Sequence, residues 1–367
     1  AQRLRSFTGN GVELARTRAD GFTFLITANP AKRTVVRLSE GVLAALRTME
    51  WAPLEAAPLA SIGITLAERG DMHDPRVLLQ QSEEAAEQAS QVDRFAFAVY
   101  DHEHHAALLD DMRQERALRE AFAKGQFELH YQPEFDAGTG QWVAAESLLR
   151  WRSGERLVVA GEFIDVLETS DLMLAVGRWV LQQACRDAVD WPLGADGQVI
   201  SVRVNVSARQ FDEPGLLEDI TAALQASGLE PARLCLELTE TTLMRDIDHA
   251  LETLRHLRAL GVQLAIDDFG TGYASLVYLK RLPINVIKID RSFVQGMPGD
   301  AADMAIVQAI VTLAAAFGID VVGEGVELPI QRDALVSMGV HRLQGWLYGK
   351  AMDNLALCGV LGSQAGG

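Results

Sequence analysis

Along the second two-thirds of the chain, short runs of branched aliphatic residues alternate with longer stretches in which apolar positions recur every three or four residues. That is the pattern of strands alternating with amphipathic helices. The strand-like runs are 127–132, 143–151, 201–207, 234–239, 263–268, 286–290, 320–324 and 342–347. Helical stretches fall at 172–191, 216–227, 249–260 and 304–317, the last three followed by Gly228, Gly261 and Gly318, where left-handed helix caps belong. Eight strands separated mostly by helix-length connections predict parallel pairing through right-handed crossovers, and hence an α/β TIM-type (β/α)8 barrel. The first two runs are joined only by DAGTG, too short for a crossover, which predicts an antiparallel first strand.

Ahead of the barrel the texture changes. Runs 22–27 and 62–66 read as short strands and 75–90 as a polar helix anchored by Leu78 and Leu79, together a small α+β domain. A charged helical stretch then ends at Gly125, as a linker helix would. The expected division is 1–104 for the small domain, 105–124 for the linker helix and 125–360 for the barrel, and 367 residues are enough for two cores.

Composition narrows the partners. No apolar run reaches the ~18 residues of a membrane span, and the first twenty residues are arginine-rich without the apolar stretch of a leader. The expectation is a cytoplasmic chain with no direct membrane contact, any sensor or membrane segment lying upstream in a full-length protein. Cys185, Cys235 and Cys358 sit far apart beside apolar residues and are expected to be buried free thiols. A net charge of −17 speaks against bulk binding of DNA or anionic lipid, so a phosphate ligand must meet cations placed locally.

Strand alternation places the candidate chemistry. Val202, Val204 and Val206, Leu234, Leu236 and Leu238, Leu264 and Ile266, and Ile287 and Ile289 should face the helices. The intervening positions then turn Asn205, Glu237, Asp267 and Lys288 into the barrel, joined by Glu146 and Glu324, toward the strand ends where barrel enzymes carry their active sites. One inward carboxylate alone is more simply a salt bridge or a loop cap. Several at one mouth repel one another unless cations neutralise them, which makes a metal site the natural resolution. An all-oxygen donor set selects Mg²⁺ or Mn²⁺, and the adjacent pair Asp267 and Asp268 suggests a second ion, the arrangement used for phosphodiester hydrolysis.

These residues lie in strings that resemble the EAL family of cyclic di-GMP phosphodiesterases: AAESLLRW at 144–151, then VNVS, LELTE, IDDFGTGYASL, IKID, GEGVE and QGWLYGK in order. The resemblance implies hydrolysis of cyclic di-GMP to linear pGpG, with two Mg²⁺ or Mn²⁺ ions, in a homodimer formed through the barrel domain. It implies that Glu146, Asn205, Glu237 and Asp267 hold one ion and Asp267 with Asp268 the other. Glu324 is then either the general base or a ligand of the second ion, and Lys288 orients the attacking water. Gln132, Arg150 and Gln344, with Glu327 as a weaker candidate, correspond to substrate contacts. The stretch 269–276 resembles a mobile loop anchored by Glu240. Three positions depart from the family pattern: Ser147, Gly323 and Ala274 replace Ala, Ala and Ser. None is an expected ligand, so activity is expected, with a catalytically inactive cyclic di-GMP receptor as the alternative.

The first domain resembles the later part of a GGDEF diguanylate cyclase domain, lacking its start. Arg18-Ala19-Asp20-Gly21-Phe22 stands where GGDEF would, Val12 and Gly9 replace the inhibitory-site acid and arginine, and SIGI at 61–64 agrees. Such a domain would be degenerate, unable to make cyclic di-GMP, and regulatory or structural in role.

Overall fold

The structure, a computed structural model, describes residues 3–9, 11–18, 21–27, 32–47, 60–67, 74–92, 95–100, 102–194, 197–271 and 279–365. The chain forms two units, Ala1–Ala117 and Leu118–Gly367, the boundary falling inside the helix His102–Ala123.

In the first unit β1 (Val12–Arg16) and β2 (Phe22–Ile26) form an antiparallel hairpin, and β3 (Ala60–Ile64) pairs in parallel with β4 (Phe95–Val99). Helices Lys32–Arg47 and Pro75–Val92 accompany them. Val36, Ile64 and Val99 make one small core and Ala85, Ala89 and Ala98 another. Helix and strand meet closely at Gly63, where an added Cβ would fall 1.7 Å from the Ser82 carbonyl oxygen. The sequence reading found β2, β3 and the second helix. It missed β1, β4 and Lys32–Arg47.

The second unit is a closed barrel of eight strands. Its members are β5 (Phe127–Asp136), β6 (Gln141–Ser153), β8 (Ser201–Asn205), β9 (Leu234–Thr239), β10 (Gln263–Phe269), β11 (Val286–Ile289), β12 (Asp320–Gly323) and β13 (Arg342–Gln344). Two short strands, β7 (Arg156–Val159) on β6 and β14 (Met352–Asp353) on β5, lie outside the ring. From β6 to β13 neighbours in the ring run parallel, whereas β5 closes it antiparallel to both β6 and β13, as the short DAGTG connection requires.

The aliphatic faces of these strands pack on the surrounding helices, with Val202, Val204, Leu234, Leu236, Leu238, Leu264, Ile287 and Ile289 all buried. Cys235, Ala265, Val286 and Val322 form a separate apolar cluster of small side chains. Tyr131 fastens β5 to the helix Leu172–Val189, its hydroxyl donating to Asp187 Oδ2 at 2.6 Å. Two of the anticipated caps, Gly228 and Gly318, have φ of 74° and 68°.

Some strands end sooner than their hydrophobic pattern does. Strand β8 stops at Asn205 because Ser207 begins a capping box with Gln210, and Asp290 caps Arg291–Gln295 instead of extending β11. Cys185 and Cys235 are buried free thiols, but Cys358 is half-buried on the helix Asn354–Ala365, a correction to the expectation. Among the described residues no helix is long and apolar enough to cross a membrane.

Candidate active site

Parallel pairing delivers polar side chains from β6, β8, β9, β10 and β11, and from the residue that follows β12, to one mouth of the barrel. At their centre is Lys288, fully buried, with its Nζ 2.6 Å from Glu324 Oε1, 3.0 Å from Glu237 Oε2, 3.2 Å from Asp267 Oδ1 and 3.4 Å from Glu146 Oε2. Glu146 is fixed further: Asn205 Nδ2 donates to its Oε1 at 2.8 Å and Gln344 Nε2 to its Oε2 at 2.6 Å.

Carboxylate oxygens of Glu146, Glu237 and Asp267 come within 4.8 Å of one another, and so do those of Asp267, Asp268 and Glu324. Asp267 belongs to both groups. Consecutive strand residues ordinarily point to opposite faces. Here the pairing of β10 with β11 shifts register between Ile266 and Phe269, and Asp268 takes a left-handed φ of 52°, which brings both acids to the same mouth.

The electrostatics divide these acids. Burial alone would raise Glu146, but Lys288 and then the amides of Gln344 and Asn205 outweigh it and hold the carboxyl below its usual range. Glu237 goes well above that range: burial and the neighbouring Glu146 and Asp267 overcome Lys288. Burial pushes Glu324 up to about 8, with Asp267 and Glu146 adding to it. Asp268 rises to about 6 through burial and the charges of Asp267 and Asp290. Lys288 is held well above its usual value, its four acid neighbours overriding burial.

The donor set fits a divalent cation. Fully ionised, the five carboxylates would outnumber the one ammonium by four negative charges, the charge that two divalent ions would neutralise. Glu237 Oε1 is buried with no hydrogen-bond partner, an acceptor left over by the protein itself. All the donors are oxygens, the choice of a hard ion.

Other anticipated residues are placed less centrally. Gln132 lies opposite Glu146 in the β5–β6 register and its Nε2 donates to the Gly349 carbonyl at 3.2 Å. Arg150, half-buried, donates to the Leu149 carbonyl at 2.9 Å. Gln344 is occupied by Glu146, with its own Oε1 unpaired. Glu327 is exposed and is held through its backbone, whose N–H donates to Gln331 Oε1 at 2.9 Å, and it does not join the carboxylate cluster. Buried Glu240 accepts from the Gly270 N–H at 3.1 Å, and Gly270 has φ of 101°. The rest of the anticipated loop, 272–276, lies outside the described residues.

The departures from the family pattern have local partners. Ser147 Oγ donates to the Arg203 carbonyl at 2.9 Å inside the barrel wall. A methyl group at Gly323 would lie 2.9 Å from Leu335 Cδ1, so the leucine fills the space an alanine would need.

One feature escaped the sequence reading. Arg203 and Glu134 are buried in the barrel, with Arg203 Nε and Nη2 at 2.6 and 2.5 Å from Glu134 Oε2. Arg203 stands two residues before Asn205 and Glu134 two after Gln132, so the same alternation that found the mouth could have found the pair.

Residues 115–351 of this chain match the profile of the EAL domain family. The bifunctional diguanylate cyclase/cyclic di-GMP phosphodiesterase MucR of Pseudomonas aeruginosa is 36% identical over 353 residues, 96% of this chain and 51% of that protein. The cyclic di-GMP phosphodiesterase NbdA of the same organism is 33% identical over 365 residues, 97% of this chain and 46% of that one. This chain thus spans about half the length of these relatives. The PaMucR phosphodiesterase solved as a c-di-GMP complex superposes with a TM-score of 0.63 at 42% identity, covering 67% of this chain and 99% of that structure. With the profile spanning more than half the sequence and the barrel carrying the family's strings at its mouth, this chain belongs to the EAL domain family.

Proposed function

We propose that this chain hydrolyses cyclic di-GMP to linear pGpG with two Mg²⁺ or Mn²⁺ ions. The observation that carries the reading is the charge imbalance at the mouth, where acids from β6, β9 and β10 and the one following β12 converge on a single lysine. Support also comes from MucR and NbdA, whose names include cyclic di-GMP phosphodiesterase activity.

Glu146, Asn205, Glu237 and Asp267 would hold one ion, and Asp267 with Asp268 the second. When bound, the ions supply positive charge against the phosphate and make water a better nucleophile near neutral pH. Glu324, beside Lys288 and within reach of Asp267 and Asp268, is placed to accept the proton that the attacking water loses as its oxygen adds to phosphorus. The P–O3′ bond then opens, and the departing oxygen takes a proton from solvent. Lys288 steers the water and offsets phosphate charge. Arg150, Gln132 and Gln344 would contact the substrate, with Glu327 as a weaker candidate. Glu240, through Gly270, anchors the loop after β10.

The first unit is read as a degenerate cyclase-like domain in a regulatory or structural role. Its β1–β2 hairpin presents Arg18 and Gly21 at the turn where a cyclase motif would stand, although Ala19 and Asp20 lie outside the described residues. The active form is read as a homodimer through the barrel.

Turnover of cyclic di-GMP with Mg²⁺ or Mn²⁺ tests this reading, with Glu146→Ala as the control. Formation of pGpG that the substitution abolishes supports it. Binding of the dinucleotide without product under either metal would sink it and favour the receptor alternative.

A further inference from the structure

We propose that Arg203, clamped by Glu134, is a positioning residue that holds Glu237 in place for the metal from beneath. The inference rests on the metal-dependent reading above and adds a group that touches neither substrate nor reacting atoms.

Three observations carry it. Glu237 is buried with its two oxygens in different circumstances: Oε2 meets Lys288 at 3.0 Å, while Oε1 has no hydrogen-bond partner and faces Arg203 Nη1 at 3.8 Å. The guanidinium cannot drift, because Nε and Nη2 converge on Glu134 Oε2 and Nη1 donates to Cys235 Sγ at 3.3 Å. The strand carrying it is tied at the same residue, where the Arg203 carbonyl accepts from Ser147 Oγ, next to Glu146, at 2.9 Å.

Strand register explains why this residue can do so. Arg203 lies opposite Glu146 on one neighbour and Cys235 on the other, while Asn205 lies opposite Glu237. The arginine therefore sits one inward position below the anticipated ligands on β8 and β9, level in register with Glu146 on β6, and is packed between β6 and β9. A planar fork gripped at one end presents its remaining nitrogen in a fixed place, which a flexible lysine would not. Without it, Glu237 keeps only Lys288 on one oxygen and is free to turn as ions arrive. Partners of metal ligands commonly matter by ~10–100-fold in metal affinity.

The test is Mn²⁺ binding, followed by calorimetry and by the electron paramagnetic resonance of free Mn²⁺, in the paired substitution Glu134→Gln with Arg203→Met. Removing both partners of a buried ion pair leaves no orphan charge and is often well tolerated. Affinity for Mn²⁺ is expected to fall about tenfold, and the Mn²⁺ concentration for half-maximal turnover to rise in step, while turnover at saturating Mn²⁺ changes little. Arg203→Lys, which keeps the charge but not the fork, is expected to fall between the two. Unchanged Mn²⁺ affinity in the folded double variant, with Glu146→Ala losing it, would overturn this inference alone. Failure of the parent chain to bind Mn²⁺ would overturn the metal reading and this inference with it. Should the double variant not fold, Glu134→Gln with Arg203→Gln takes its place, with the same two outcomes.

Discussion

Two layers of charge lie within this barrel and they are built differently. In the lower one a single arginine meets a single glutamate, and the pair is neutral and buried. In the upper one, a lysine faces four carboxylates directly with a fifth, Asp268, close by. A balanced pair in an apolar surround is a structural solution, since neither charge is left unpaired. An unbalanced one is not, because burying excess like charge opposes folding unless protons or metal ions enter. Chemistry in a barrel is to be sought at charge that the protein does not itself cancel.

Breaking the upper layer should have the largest effect. Asp267 belongs to both carboxylate groups, so Asp267→Asn is expected to lower cyclic di-GMP turnover by about 10³-fold, the several kcal/mol that metal charge supplies at a transition state. Steady-state rates across a Mg²⁺ series check this, and a loss under tenfold would argue against a shared ligand.

Lys288→Met removes the cation that the acids share. In chelator-treated protein it is expected to cost about 3–5 kcal/mol, the effect of stranding buried charge, and added Mg²⁺ should recover much of that in urea unfolding. An equal loss with and without Mg²⁺ would mean that the lysine acts through packing alone.

A pH series separates the layers next. The Glu324 carboxyl is raised from an ordinary 4.5 to about 8 and Asp268 from 3.8 to about 6. The native metal-free state thus keeps protons that the unfolded chain has released. The stabilisation from Glu324 is complete below pH 4.5 and lost as pH rises through about 8. The urea midpoint of metal-free protein should fall across that window, and fall less in Glu324→Gln. A flat midpoint would show that the acids do not trade protons in this way.

Ser147→Ala probes the seam between the layers and should be the smallest change. Losing the hydroxyl's bond to the Arg203 carbonyl is expected to lower stability by about 1 kcal/mol, with saturating turnover preserved. A loss of turnover as deep as that of Asp267→Asn would place Ser147 in the chemistry itself.

Much of this was legible in the sequence, and the reasons are physical. The barrel strands bury one whole face against helices, so their alternation survives in the letters and assigns Glu146, Asn205, Glu237, Asp267, Lys288 and Glu324 to one side. The strands of the first unit are only five residues long: the alternation of β1 runs over four residues, none of them buried, and β4 has no polar residue to mark a face. Their pairing partners, rather than their own pattern, define them. Arg203 was hidden differently, because attention to acids at strand ends passes over a cation one step deeper. The strand ends at Ser207 and Asp290 yielded to capping, a local hydrogen bond that hydrophobicity does not record.

The left-handed backbone at Asp268 sets stability against the proposed activity at one position. Among the described residues it is the non-glycine residue with positive φ, a conformation that costs a side-chain-bearing residue about 1–2 kcal/mol. Glycine there would relax the chain and make a sturdier fold, but it would remove a carboxylate from the mouth. Under the proposed two-metal reading, the strain at Asp268 is the cost of placing a second acid from one strand at the mouth, so Asp268→Gly is expected to gain stability while losing metal affinity.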